Sequence, residues 1–169
     1  SGLASDLTGV GFRLPGSTRL LFVRQRGPLL DTVSIFLSRS RTLAEFKASV
    51  WSPVFDGMSL DEEIDLTKIG LRVGGDVSPR GVREAWLWEV GTAELLELTA
   101  PAMQKSVAEV VLPWFASMSN ADAVLAECAF SLSWWRTVSS ERRTLIAASL
   151  AELMDLEKCA VPEFNLRKG

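Results

Sequence analysis

The chain has 169 residues, 47% hydrophobic, 8% aromatic and 23% charged, which argues for a globular domain and against disorder, collagen-like repeats or a charged tail. It contains no histidine and no tyrosine, which excludes an imidazole general base, the Ser-His-Asp and Cys-His nucleophilic systems, and metal sites that need a His ligand. The net charge of −3 supplies no field that would draw the chain onto nucleic acid or an anionic membrane, but it is uneven: residues 1–50 carry +4 and residues 51–169 carry −7.

Residues 3–10 read as a short helix tail or an irregular lead-in between glycines, and Gly11-Phe12 opens the sheet. A first strand is expected over 18–24, where Leu20, Leu21, Phe22 and Val23 run together as in a strand covered on both faces or twisted to a half-exposed end. Gly27-Pro28 supplies the turn. In the next strand Val33, Ile35 and Leu37 point one way, and Ser34, Phe36 and Ser38 the other, which is period two. A third strand is expected over 46–51 and ends before Pro53. Residues 56–65 read as a loop, residues 66–73 as a fourth strand closed by a Gly74-Gly75 turn, and residues 83–90 as a fifth.

From Thr92 the period becomes helical. Leu95, Leu98, Met103, Val107, Val110 or Val111, and Trp114 form one stripe, with a short helix at 92–99, a restart at Pro101 and an end near Pro113. Asn120 is the expected N-cap of a helix to about Leu132 that turns Val124, Leu125 and Cys128 inward. Ser139 or Ser140 caps the last helix, with Leu145, Ile146, Leu150, Leu153 and Met154 on its face and Pro162 as its stop. The expected fold is α+β in one domain over 1–169: an antiparallel sheet of about five strands at 12–90, covered on one face by helices at about 92–160.

Candidate binding residues come from two groups. Asp61, Glu62, Glu63 and Asp65 form an acidic run; carboxylates suit hard cations, but the glycine and twelve-residue spacing of an EF-hand are absent, so the run reads as a solvated loop or as a surface for a basic partner. Trp86 and Trp88 share one strand face and either pack under the long helix or line a cleft beside it. Trp134 and Trp135 project about 100° apart on a helix, so one of them is expected to reach solvent or a partner.

The glycine-rich stretch at Gly70, Gly74, Gly75 and Gly81 matches neither GxxxxGK[ST] nor GxGxxG and reads as turn glycine. Arg19, Arg24, Arg26, Arg39 and Arg41 flank the first hairpin; without the aromatic spacing of an RNA-binding motif they read as edge protection, and nucleic acid is not favoured. Cys128 and Cys159 match no metal or redox spacing and read as buried and reduced. Few cysteines, no signal-peptide pattern and no apolar run near 18 residues predict a cytoplasmic setting without a membrane span.

The order of short motifs resembles the bacterial DUF4304 family of uncharacterised domains over about residues 9–118. The residues that carry the likeness are Gly11-Phe12, the run from Arg19 to Gln25, Val33-Ser34-Ile35-Phe36-Leu37, Ile69-Gly70-Leu71, Ala85-Trp86-Leu87-Trp88 and Val111-Leu112-Pro113-Trp114-Phe115. The connection at 70–81 is longer and richer in glycine than the family's usual form. The resemblance implies an α+β domain and transfers no catalytic residue. Without histidine or a catalytic constellation, the expectation is a non-enzymatic domain that binds another macromolecule and uses no cofactor or metal. Its specific form is a toxin-immunity-type protein whose acids cover a basic partner. The alternative is a small-molecule binder or enzyme with a cleft between Trp86/Trp88 and the long helix.

Overall fold

The computed structural model of the chain describes residues 2–16, 20–69, 73–75, 87–131, 133–155 and 160–167. The architecture is α+β, with an antiparallel sheet first and helices after it. Helix α1 (Leu3–Gly9) leads in, and the chain enters the sheet at Arg13, which exchanges backbone hydrogen bonds with Val23 along the outer edge of strand β1 (Leu20–Arg26). The two-residue loop Gly27-Pro28 returns the chain into β2 (Leu29–Leu37). Gly27 has φ +53°, the positive value that the first position of a two-residue hairpin loop requires. Strand β3 (Leu43–Trp51) pairs with β2 from Leu37↔Ala44 to Leu30↔Trp51.

Beyond β3 the sheet departs from a five-strand meander. Strands β5 (Val73–Gly75) and β6 (Leu87–Glu89) both pair antiparallel with β3, the first opposite Ala48 to Val50 and the second opposite Leu43 to Glu45. They lie end to end along one edge, so five strands occupy four positions. Residues 66–69 are turn and coil rather than strand, and Gly74 and Gly75, expected as a turn, sit in β5, where the later helix Ala121–Ser131 packs. Strand β4 (Ile64–Asp65) forms a separate parallel pair with β7 (Leu166–Arg167), to which the chain returns after the helices.

The two sheet faces are covered by different elements. On one lie Phe22, Val33, Phe46 and Ala48 with Arg24, whose guanidinium stacks 4.6 Å from the Phe12 ring and 5.8 Å from that of Phe115. On the other, the Gln25 amide donates to the Pro162 carbonyl at 2.8 Å and accepts from the Phe164 N–H, strapping the C-terminal segment over the sheet. The expected period of two holds in β2, with Val33 and Ile35 on one face and Ser34 and Phe36 on the other, but burial does not follow it. Leu29 to Ser34 are all buried because both faces are covered there, while Phe36 and Leu37 at the far end are both exposed.

The helical half is less interrupted than its prolines suggest. Helix α2 (Ala93–Ser106) is capped by the Thr92 hydroxyl and contains Pro101, which lies on the exposed side and leaves the Glu97 carbonyl to solvent instead of forcing a restart. A π turn over Val107–Val111 follows, in which the Leu112 N–H reaches the Val107 carbonyl, and it leads directly into α3 (Leu112–Ser117). The wider turn explains the observed stripe. Met103, Val107, Val111 and Phe115 recur every four residues and are all buried, whereas Leu98 is 75% exposed.

Asn120 caps α4 (Ala121–Ser131) through its side-chain oxygen, 2.9 Å from the Ala123 N–H. After α5 (Ser133–Thr137), Ser139 caps α6 (Ser140–Leu153), which ends well before Pro162. Ile146 and Leu150 are its buried positions, and Leu145, expected inward, is 67% exposed.

Candidate functional site

Three small hydroxylated side chains interrupt the apolar strands at neighbouring positions. Thr32 and Ser49 face each other across β2 and β3 with their hydroxyl oxygens 2.6 Å apart, and the Ser34 hydroxyl donates to the Lys47 carbonyl at 3.4 Å. They form the floor of a groove of about 540 Å³ on the face opposite α3, within the range of small-molecule sites. Leu20, Leu21, Ile35, Phe36 and Leu37 of the first hairpin make one side, and Leu66 and Ile69 the other. The turn that delivers Leu66 and Ile69 is tied by Asp65, whose carboxylate accepts from the Thr67 N–H at 2.9 Å and its hydroxyl at 2.6 Å.

The described lining residues carry no acid, base or thiol. What the groove offers is apolar contact and hydroxyl hydrogen bonds. Charge sits at its margin: the Lys47 ammonium lies 5.5 Å from the Phe36 ring and 3.4 Å from a Glu45 carboxylate oxygen.

The acids singled out from the sequence stay within their own loop. Asp61, Glu62 and Glu63 are exposed and Asp65 is half-buried. Asp61 accepts from the Ser59 hydroxyl, and Glu62 accepts from the Ser59 N–H at 2.7 Å. Glu63 lies 3.9 Å from Arg167. The Ser59 hydroxyl holds the Asp61 carboxyl below the usual carboxylate range, and the Thr67 hydroxyl and N–H do the same for Asp65. Among the described residues, no three Cys, Asp or Glu side chains gather as a metal site would require.

Trp86 lies outside the described residues. Trp88 pairs with Ala44, which places it on the sheet face opposite the groove, in the layer where α2 packs, and its buried indole N–H finds no acceptor among the described residues. Trp134 and Trp135 are both half-buried: Trp134 packs 5.4 Å from the Phe55 ring, and the Arg143 guanidinium covers Trp135 at 5.4 Å.

Two of the hairpin arginines are not surface charges. Arg24 and Arg26 both turn onto Asp31, which is fully buried, at 2.8 and 2.6 Å. Arg26 also donates to the Met118 carbonyl, and Arg24 to that of Val10, so the clamp joins the hairpin to the segments before and after it. The edge-protection reading therefore fails for this pair. Arg19 lies outside the described residues, while Arg39 and Arg41 are exposed at the β2–β3 turn.

Cys128 is buried, and burial, with the Glu127 charge beside it, pushes its thiol up to about 12, so it is a packing group and not a nucleophile. Cys159 lies outside the described residues. Among the described residues no helix is long and apolar enough to cross a membrane.

The groove floor was missed in the sequence because Thr32 and Ser49 look like solvent-facing strand positions. Their signal was three small hydroxyl residues, at 32, 34 and 49, among the apolar positions of two neighbouring strands. No protein-family model matches the chain, and no curated protein or solved structure matches it.

Proposed function

We propose that the chain is a non-enzymatic binding domain that seats a largely apolar small molecule in the groove over Thr32, Ser34 and Ser49. The observation that carries this reading is a groove of about 540 Å³ lined by seven apolar and three hydroxyl-bearing residues, with no side chain among them able to transfer a proton near neutral pH. The ligand gains by burying apolar surface, and the hydroxyls orient whatever polar atom it carries.

The expected result is that N-phenyl-1-naphthylamine, a neutral probe that brightens in apolar surroundings, binds the protein. Ser34→Leu, which fills the floor, and Phe36→Ala, which removes an exposed wall, should each weaken that binding about tenfold, or about 1.4 kcal/mol. Unchanged affinity in both variants, with circular dichroism showing an intact fold, refutes the site.

A second reading is a protein partner with a basic surface, in the manner of a toxin-immunity protein. It draws support from the exposed carboxylates of Asp61, Glu62 and Glu63 on a loop tied down by Ser59 and Thr67. Held charges of one sign speed association with a complementary surface. Under this reading a basic protein co-purifies with the chain and is lost when Asp61, Glu62, Glu63 and Asp65 are changed to Lys. Retention of the partner after the swap counts against it.

A further inference from the structure

The β2–β3 turn begins where the groove ends. Leu37 lines the groove, and Ser38, Arg39, Ser40, Arg41 and Thr42 follow it directly. Resting on the binding reading above, we infer that the groove's ligand is a single-chain amphipathic anion, its apolar body over Thr32, Ser34 and Ser49 and its carboxylate or phosphate head at this turn.

Three observations meet there. First, the Arg39 and Arg41 guanidinium groups are exposed and have no ion pair or hydrogen bond among the described residues, unlike Arg24 and Arg26 on Asp31 or Arg13 on Glu163. Of the other charges beside the groove, Lys47 pairs with Glu45 and Asp65 with Lys68, and Glu89 is exposed on β6 opposite Leu43, so the two arginines leave this end of the groove with an excess of positive charge.

Second, the turn is held rather than loose. The Ser38 N–H donates to the Leu43 carbonyl at 2.8 Å, and the Ser38 hydroxyl oxygen accepts from the N–H groups of Thr42 and Leu43. The hydroxyls of Ser38, Ser40 and Thr42 line up at 3.1 and 2.6 Å. Arg41 has φ +56°, and among the described residues it is the non-glycine residue with positive φ. A guanidinium therefore stands where the backbone alone favours glycine.

Third, the uncharged lining leaves a charged head no place inside, whereas guanidinium forks match carboxylate and phosphate oxygens. From Thr32 to Leu37 the strand runs about 17 Å at the usual rise, which suits an extended chain better than a compact ring.

Displacement of N-phenyl-1-naphthylamine by decanoate, kept below its micelle concentration, and by decan-1-ol tests the assignment on the intact chain. Decanoate should displace the probe at about a tenth of the alcohol concentration at low ionic strength. That preference should fall with added salt and vanish in the Arg39→Gln/Arg41→Gln variant, while displacement by the alcohol stays the same. Equal potency of acid and alcohol, or a preference that survives in the double variant, overturns the head-group assignment and leaves the groove reading standing. Failure of the probe itself to bind removes the groove reading. Co-sedimentation with phosphatidylglycerol vesicles without displacement by decanoate also overturns the inference, because the anion would then be a bilayer surface and not a seated ligand.

Discussion

Asp31→Asn is expected to destabilise the fold by about 3 kcal/mol, read as a fall in the urea midpoint at unchanged slope. The Asp31 carboxylate is fully buried and receives four guanidinium hydrogen bonds, from Arg24 at 3.1 and 2.8 Å and from Arg26 at 2.6 and 2.9 Å. The amide keeps the shape but removes the charge, leaving two cations facing each other around a neutral group. Because the Arg24 and Arg26 side chains remain 20% and 24% exposed, both can turn partly to water, which places the cost at the lower end of the range for a broken buried pair. Arg13→Ala provides the contrast. Its bond to Glu163 joins side chains 52% and 77% exposed, and its loss should cost less than about 1 kcal/mol. Similar effects for both substitutions would mean that the Asp31 clamp behaves as an ordinary surface pair.

Phe115→Ala is expected to cost about 3–5 kcal/mol, the range for truncating a fully buried aromatic residue. Phe115 sits where α3 meets the sheet, with its ring 5.8 Å from that of Phe12 and 5.1 Å from that of Trp114. It also forms part of the aromatic cover over the Arg24 guanidinium. The cavity therefore opens beside the Asp31 clamp and admits water to it. Combined with Asp31→Asn, the loss should fall short of the sum by at least about 0.5 kcal/mol, because the first substitution already weakens what the second removes. Strict additivity would show that the aromatic layer and the clamp stabilise the fold independently.

Much of the fold was legible in local chemistry. The first hairpin needed only Gly27-Pro28 between apolar strands, and Asn120 and Ser139 act as the caps their side chains suggested. The failures share one cause, that a residue's neighbours in space were unknown. Gly74-Gly75 has turn chemistry but pairs with Ser49 and Ala48 at the sheet edge beside α4. Pro101 looked like a boundary, yet an exposed position tolerates one missing hydrogen bond. The hairpin arginines looked alike in sequence, and burial of Asp31 divided them into a pair turned inward and, at the β2–β3 turn, a pair left exposed.

For the candidate site the division is similar. Composition alone determined that no imidazole chemistry operates here and that positive charge gathers in the first 50 residues, since neither statement depends on contacts. Hydrophobic periodicity determined the order of sheet and helices, because backbone hydrogen bonding permits only those two repeats. Tertiary structure decided where a ligand can enter. Both faces of β2 are covered at one end and open at the other, so Thr32, Ser34 and Ser49, polar by type, became the floor of an apolar groove through the elements packed around them.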